Sequence, residues 1–516
     1  MIRGPGGTLW GANAVNGIIN IITRPAAETQ GVSVTAGAGS EDRAFGSVRY
    51  GGTSGALAYR AYFKAFDRAP EFHPDGNDYD GWRAGQGGAR ADWRLANGRS
   101  VTLQGDAYPG RLGERPSVSF YTPPFRELTN VRAPLSGGNV VARLSGTGPA
   151  REYRLQAYYD RTNRDEIPVG ESRDTADIDF QQTLRGWNRN TLTWGAEYRV
   201  TSGRITALAP SAFMPSRRTD NLYTGFVNDE IAIVPGRWQV TLGSEVGHND
   251  HTGFEIQPTA RVAWTPDATN MVWSAITRAI RTPSRVETDY TTTSFVRDAG
   301  LPTFVRLTPD PGFVPEKLVA YELGYRLRPT DSMYVTVSSF YNDLQDTLST
   351  ELLTSFVERA PGEPVRLILP VQFANGLHGR SQGGEITADV RPTPWWRLTG
   401  NYSYLDVSMT KDPGGNDVSQ ERTYERMIPH HQVQAGASVD VSRWSIDWMF
   451  RYVSALPAGP VPAYAASDLR VAWQPIPQLE LSVVGQDLFR DHHIEWATGD
   501  TIAIERSVYG RVAWRP

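Results

Sequence analysis

Apolar and polar residues alternate with a period of two along most of the chain, and β-branched and aromatic types dominate the apolar positions. That is the pattern of half-buried strands rather than helices. Tyr153, Leu155, Ala157 and Tyr159 share one face while Arg154, Gln156 and Asp160 share the other. Leu192, Trp194, Ala196, Tyr198 and Val200 oppose Thr191, Thr193, Glu197 and Arg199, and Val101, Leu103 and Ala107 oppose Thr102, Gln104 and Asp106. The clearest segment sets Trp444, Ile446, Trp448, Phe450 and Tyr452 against Ser445, Asp447 and Arg451. Each predicted strand has one apolar and one polar face.

Short turns punctuate the alternation near Thr53-Ser54-Gly55, Ala96-Asn97-Gly98, Gly146-Thr147-Gly148, Trp187-Asn188, Pro235-Gly236, Pro266-Asp267, Pro329-Thr330, Pro392-Thr393-Pro394, Ser442-Arg443 and Pro475-Ile476-Pro477. Between successive turns run pairs of strands joined by longer links, notably about residues 110–137, 280–316 and 345–378. Ten short turns separate eleven hairpins, which predicts about 22 strands. Nine of the 15 tryptophans, Trp93, Trp187, Trp238, Trp264, Trp395, Trp396, Trp444, Trp473 and Trp514, fall within a few residues of a short turn or of the C-terminus. The turns therefore share one aromatic belt, as where a barrel meets lipid headgroups. A soluble all-β protein, such as a secreted carbohydrate-binding module, could pack tryptophans under its turns and share the alternation, but it does not predict short and long connections in strict succession. The fold class expected is all-β: a 22-stranded antiparallel transmembrane β-barrel, a size whose lumen must be plugged.

Composition narrows the functions. The net charge of the 516 residues is −4, charged residues make up 21%, and no block of like charges occurs, so nucleic acid is not an expected partner. There is no cysteine, which excludes disulfides, thiolate metal sites and a thiol nucleophile. Glycine and proline aside, no apolar run exceeds about four residues, as in Ile231-Ala232-Ile233-Val234, against roughly 20 for a membrane-spanning helix. The mean hydropathy of −0.41 is compatible with barrel strands, whose alternation averages out. No phosphate-binding loop, nucleophile elbow or His-Glu-x-x-His is present, so no enzyme activity and no cofactor is expected. Among the eight histidines, His430-His431 and His492-His493 are adjacent pairs and His248 and His251 flank Asn249-Asp250. Adjacent strand residues point to opposite faces, so neither pair is expected to hold a metal.

The opening Ile2-Arg3-Gly4-Pro5-Gly6-Gly7-Thr8-Leu9-Trp10-Gly11-Ala12-Asn13-Ala14-Val15-Asn16-Gly17-Ile18-Ile19-Asn20-Ile21-Ile22-Thr23 resembles the last part of the plug of TonB-dependent outer-membrane receptors. Its glycines permit tight turns and close approach, and Gly17 to Thr23 reads as a compact strand that can pair inside a lumen. Ile256-Gln257-Pro258-Thr259-Ala260-Arg261-Val262-Ala263-Trp264-Thr265-Pro266, Ala279-Ile280-Arg281-Thr282-Pro283-Ser284, Pro315-Glu316-Lys317 and Tyr321-Glu322-Leu323-Gly324-Tyr325-Arg326 resemble the same family's barrel in the same order. Leu479-Glu480-Leu481-Ser482-Val483-Val484-Gly485-Gln486-Asp487-Leu488-Phe489 resembles its penultimate strand, with Asp487 where asparagine is usual, and Val508, Val512 and Trp514 alternate as in its last strand. The family ordinarily ends on an aromatic residue, where this chain has Pro516, so either assembly is impaired or the end is trimmed. The resemblance covers essentially the whole chain. It implies residues 1–28 as the remnant of a plug and 29–516 as the barrel.

The resemblance further implies a monomer in the outer membrane of a Gram-negative bacterium, surrounded by lipid and lipopolysaccharide. Its work would be high-affinity uptake of a scarce nutrient, most simply a ferric siderophore, driven through the TonB complex; cobalamin and haem are the other candidates. Haem transporters of the family commonly carry a histidine between the segments matching Ala279 to Pro283 and Pro309 to Glu316, and this chain has none there. Signal peptide, TonB-binding box and most of a plug are not in the sequence, so the chain is expected to be the back part of a receptor. Alone, it would be a leaky channel or fail to fold, and a non-energised porin-like barrel is the alternative. Anionic aromatic iron chelates call for arginines and aromatics in the external links. Link 110–137 offers Arg111, Arg115, Phe120, Tyr121, Phe125 and Arg126, and link 280–316 offers Arg281, Arg285, Tyr290, Phe295 and Arg297.

Overall fold

In the computed structural model of the chain, residues 2–516 are described except 188, 299, 458, 460 and 497–501. Twenty-two antiparallel strands close into one barrel. In order they are β1 (Gly31–Gly39), β2 (Asp42–Ser54), β3 (Leu57–Arg68), β4 (Trp82–Arg94), β5 (Arg99–Glu114), β6 (Val131–Thr147), β7 (Arg151–Arg164) and β8 (Val169–Trp187). Then come β9 (Asn190–Ala207), β10 (Arg217–Val234), β11 (Trp238–Asn249), β12 (Gly253–Trp264), β13 (Asn270–Arg281), β14 (Glu316–Thr330) and β15 (Met333–Leu352). The last seven are β16 (Arg366–Thr393), β17 (Trp396–Lys411), β18 (His431–Val441), β19 (Trp444–Val453), β20 (Tyr464–Ile476), β21 (Leu479–Gln486) and β22 (Ser507–Trp514). β22 closes the ring by pairing with both β21 and β1.

The period-two pattern explains the cross-section. Leu242 and Val246 of β11, Ile256 and Val262 of β12 and Val483 of β21 are exposed on the outside. Asn228, Glu245 and Gln257, one residue out of phase with them or with their neighbours, are buried inside. Polar lumen and apolar exterior reverse the order of a water-soluble domain and match strands that face hydrocarbon.

The ten short turns expected from the sequence fall at one end, at the expected places, while two connections at the other end, 40–41 and 250–252, are also short; of the Trp187-Asn188 turn, residue 188 lies outside the described residues. Asn97 and Gly98 take the positive φ values, 61° and 67°, that a tight Asn-Gly hairpin demands. The tryptophans of this end pair across the ladder: Trp238 lies opposite Trp264 and stacks on it at 5.6 Å, and Trp444 stacks on Trp473 at 6.0 Å.

The long links lie at the other end and differ from expectation because the strands run on. β5 reaches Glu114 and β6 starts at Val131, so the first link is 115–130; β15 and β16 leave only 353–365 between them. β16 alone has 28 residues, against about 10 for a strand that crosses a bilayer. The link 282–315 is itself structured. It holds a helix, Arg285–Asp289, and a hairpin, Tyr290–Asp298 with Pro302–Thr308, whose second arm pairs in parallel with the start of β16 from Thr303↔Leu367 to Thr308↔Gln372.

The N-terminal segment lies inside the barrel. Ile2–Arg3 pairs with Gly17–Ile18, and a single helical turn, Gly7–Trp10, sits against β10 to β13. The expected strand Gly17 to Thr23 is shorter than its pattern suggests: pairing stops at Ile18, since Ile2–Arg3 is its only partner among the described residues. Ile19, Ile21 and Ile22 cross the lumen 72, 81 and 82% exposed. The crossing ends where Arg60 of β3 donates to the Arg24 carbonyl at 2.6 Å and Asp92 of β4 accepts from the Ala26 amide at 2.7 Å.

Candidate functional site

Between the inner segment and the wall from β11 to β19 lies a cavity of about 1760 Å³, with Asn13, Arg261, Arg281, Glu316, Glu322 and Tyr424 on its lining. The inner segment is bonded to that wall. Thr8 donates to the Gln257 carbonyl at 2.9 Å, the Asn13 amide donates to the Ile280 carbonyl at 2.8 Å, and Asn13 Oδ1 accepts from the Thr282 amide at 3.0 Å. Gly4 and Gly7 allow this approach: a Cβ on Gly4 would strike the Glu322 carboxylate, and one on Gly7 the Gln257 amide.

Arg281, the last residue of β13, forks onto Glu316 at 2.8 and 2.9 Å and reaches Glu287 at 3.0 Å. Glu287 in turn completes a capping box with Ser284, whose amide donates to it at 2.8 Å, and so fixes the helix Arg285–Asp289 to the barrel rim. Burial opposes ionisation of Glu287, but the Ser284 hydroxyl and Arg281 outweigh it and hold the carboxyl below its usual range. Tyr424, on the helix Gln420–Arg426 in the link between β17 and β18, faces the same cavity. Burial, and then the Glu316 carboxylate, push its hydroxyl up to about 12, so it is a neutral hydrogen-bonding group at any physiological pH.

The outer mouth is built round rings. Phe125 of link 115–130 stacks on Phe295 of the hairpin at 5.2 Å, Phe304 packs edge-on to Phe295 at 5.5 Å, and Tyr121 joins Phe304 at 5.5 Å. Beside them Arg306 holds Glu358 through two bonds of 2.9 Å, and Arg366 shares that carboxylate at 2.6 Å while its guanidinium lies 3.8 Å from the Tyr121 ring. Arg306, aided by Arg366, holds the Glu358 carboxyl below its usual range. Arg306 and Arg366 are not among the sequence candidates. The alternation Phe304, Arg306, Thr308 marks a strand, but nothing near it in sequence shows that β16 is its neighbour.

The candidates of the two links separate into groups. Tyr121 belongs to the aromatic cluster, with Phe125 and Phe295. Arg126 is exposed and donates to Ser117 at 2.7 Å, and Arg297 is exposed in the hairpin, with no ion pair among the described residues. Arg281 is engaged as described, and Arg285 pairs with Asp289 at 2.8 Å, lies over the Phe213 ring and donates to the Pro215 carbonyl. Tyr290 packs on Phe213 at 4.7 Å, and Arg115 pairs with Asp75 at 2.5 Å over the Tyr79 ring. Arg111 lies within β5, not in a link, and shares the outward face with Leu103, opposite Arg83. The histidines of the two adjacent pairs lie on rings: His430 on Tyr404, His431 on Tyr402, His492 on Phe72 and His493 on Tyr464.

A closed barrel with an apolar exterior, a polar lumen and a segment bonded inside it defines a membrane receptor or transporter, not an enzyme. The family described as TonB dependent receptor-like, beta-barrel matches residues 27–488, and the chain belongs to it. A search of curated proteins found no match. Among solved structures, the siderophore receptor PirA from Acinetobacter baumannii is similar over 99% of this chain and 84% of its own, at 15% identity with a TM-score of 0.79. The FrpB iron transporter from Neisseria meningitidis is similar over 99% of this chain and 86% of its own, at 15% identity with a TM-score of 0.77. A variant of the ferric enterobactin receptor PfeA from Pseudomonas aeruginosa, in complex with enterobactin, is similar over 99% and 85%, at 15% identity with a TM-score of 0.77. At such identities the likeness is one of fold.

Proposed function

We propose that the protein takes up a ferric siderophore across the outer membrane of a Gram-negative bacterium, with energy relayed by the TonB complex, residues 1–28 being the end of its plug and residues 29–516 its barrel. The inner segment carries this reading. It is hydrogen-bonded to the wall through Thr8 and Asn13; a full plug of which it is the end passes a bulky solute only when it moves, and nothing in an outer membrane supplies that work locally. The mouth suits the cargo: Tyr121, Phe125 and Phe295, half-buried round the buried Phe304, leave part of their rings open, and Arg126 and Arg297 are cations open to an anionic chelate. One chain closes the barrel, so a monomer surrounded by lipid suffices. The test is accumulation of radioactive iron, supplied as catecholate or hydroxamate siderophore, in cells stripped of their own receptors that carry this barrel behind a full plug and TonB-binding box, with and without TonB. Uptake of one chelate class that requires TonB is expected. An inserted barrel that admits no chelate, or that passes small solutes without regard to TonB, would sink the reading and favour a porin-like channel.

A further inference from the structure

On the outside of the barrel, beyond the apolar band of β9 and β10, the ladder changes character within a few residues. Tyr198 and Tyr223 lie directly opposite one another, exposed and stacked at 4.8 Å. Further from the turns, the outward pairs are Val200 with Asn221, Ser202 with Thr219, and then Arg204 with Arg217. Six residues separate the tyrosine pair from the arginine pair, about 20 Å along a strand at ~3.4 Å per residue and about 14 Å of height at a tilt of ~45°. The tyrosines are where an aromatic girdle ends a hydrocarbon layer, and the arginines stand at headgroup level.

Two like charges directly opposite on a sheet face destabilise it. Arg204 and Arg217 are both exposed, and neither has an ion pair among the described residues. In the neighbouring row Arg161 reaches Asp174 at 3.3 Å, and that carboxylate also accepts from the Tyr159 hydroxyl at 2.5 Å. Three arginines thus face one carboxylate that is already engaged. They border a recess of about 1220 Å³ lined also by Ser202, whose hydroxyl accepts from Thr219 at 3.2 Å and keeps its own proton to donate. Guanidinium forks beside a hydroxyl are the donor set that holds phosphate.

We propose that this recess binds the phosphorylated headgroup of an outer-leaflet lipid, with one phosphate between Arg204 and Arg217. The occupant follows from continuity: acyl chains lying on the apolar band below the tyrosines place a headgroup phosphate at this height, whereas nothing ties a soluble anion here. The proposal rests on the outer-membrane reading above and is independent of the cargo.

The test titrates the full chain, folded in detergent micelles, with lipid A bearing both phosphates and with phosphate-free lipid A, and reads bound lipid by native mass spectrometry. Phosphorylated lipid should bind and phosphate-free lipid should not. Arg204→Glu with Arg217→Glu should weaken binding at least about tenfold, the corresponding pair of lysine substitutions should retain most of it, and Arg328→Glu, at the turn end, should leave it unchanged. Equal binding of both lipids, or undiminished binding by the folded double-glutamate variant, overturns the proposal. So does displacement of the lipid by inorganic phosphate but not by sodium chloride at equal ionic strength, which would mark a soluble-anion site. Heat-modifiable gel mobility reports folding for every variant, and if the double-glutamate chain does not fold, Arg204→Gln supplies the reading with an expected severalfold loss. A wild-type chain that never gives the compact barrel band fails the membrane reading; a compact barrel without phosphate preference fails only this inference.

Discussion

Gly7 shows at the scale of one residue how the inner segment is held. A side chain there meets Gln257, which is 2% exposed and fixed between Glu245, to which it donates at 3.0 Å, and the Ile280 amide, from which it accepts at 3.3 Å. Gln257 therefore cannot step aside, and Gly7→Val should lift the segment from the wall at a cost of about 1–3 kcal/mol, the usual range for overpacking. Proteolysis within residues 2–25 should accelerate about tenfold or more while the barrel band on a gel persists; an unchanged cleavage rate would mean the contact does not anchor the segment. That Gly4 and Gly7 serve close approach is readable from the Gly-rich opening. Their counterparts Glu322 and Gln257, some 250 residues or more away, are not. The same distance problem hid the role of Arg281. Its place in a link with aromatics suggests a ligand contact, but Glu316, 35 positions on, takes its Nε and one Nη, and Glu287 takes the other.

Elements were legible in proportion to how local their signals are. Asn97-Gly98 and Pro235-Gly236 announce turns by themselves, and alternation announces the strands between them. The hairpin Tyr290–Asp298 with Pro302–Thr308 was hidden within a link, because what fixes it is pairing with Leu367 to Gln372 and packing on Phe125. Two further links fold on each other, with Phe72 stacked on His492 at 4.3 Å and its carbonyl accepting from the Ala503 amide at 3.0 Å. Beside this contact the Glu71 carboxyl is pushed up to about 7, by burial first and then by Glu41, Asp80 and Glu505. Below about pH 4.5 Glu71 is protonated whether the links are packed or open, and it costs nothing. As pH rises toward about 7 the packed form must keep a proton that the open form has released, so packing weakens, and above that the full penalty remains. Hydrogen exchange at Phe72 and Ala503, corrected for its intrinsic rate, should therefore speed up from about pH 5 to about pH 8 in the wild type and stay nearly flat in Glu71→Gln. Equal pH dependence in both would show that Glu71 does not set it.

For the whole molecule the decisive feature is closure. β9 and β10 pair over fifteen positions, whereas β1 and β22 meet over six, from Val34↔Trp514 to Gly39↔Tyr509. The count of strands could be read by counting turns, but which strands close the ring depends on tilt and stagger, which are properties of all 22 together. In hydrocarbon an opened seam has no water to replace its hydrogen bonds, and each orphaned backbone group costs several kcal/mol. Even a short seam is therefore all-or-none. Removing residues 507–516 strips β21 and β1 of their partner at once, and should abolish both the heat-modifiable band and insertion into vesicles. Trp514→Ala leaves every backbone bond of the seam in place, removing only a ring from the belt, and should keep the compact band with a modest fall in unfolding temperature. A truncated chain that still ran as a compact, inserted barrel would require β21 to pair with β1 directly, and cross-linking those two strands would then reveal a 21-strand ring in which they lie parallel. That arrangement breaks the up-and-down order every other pair obeys.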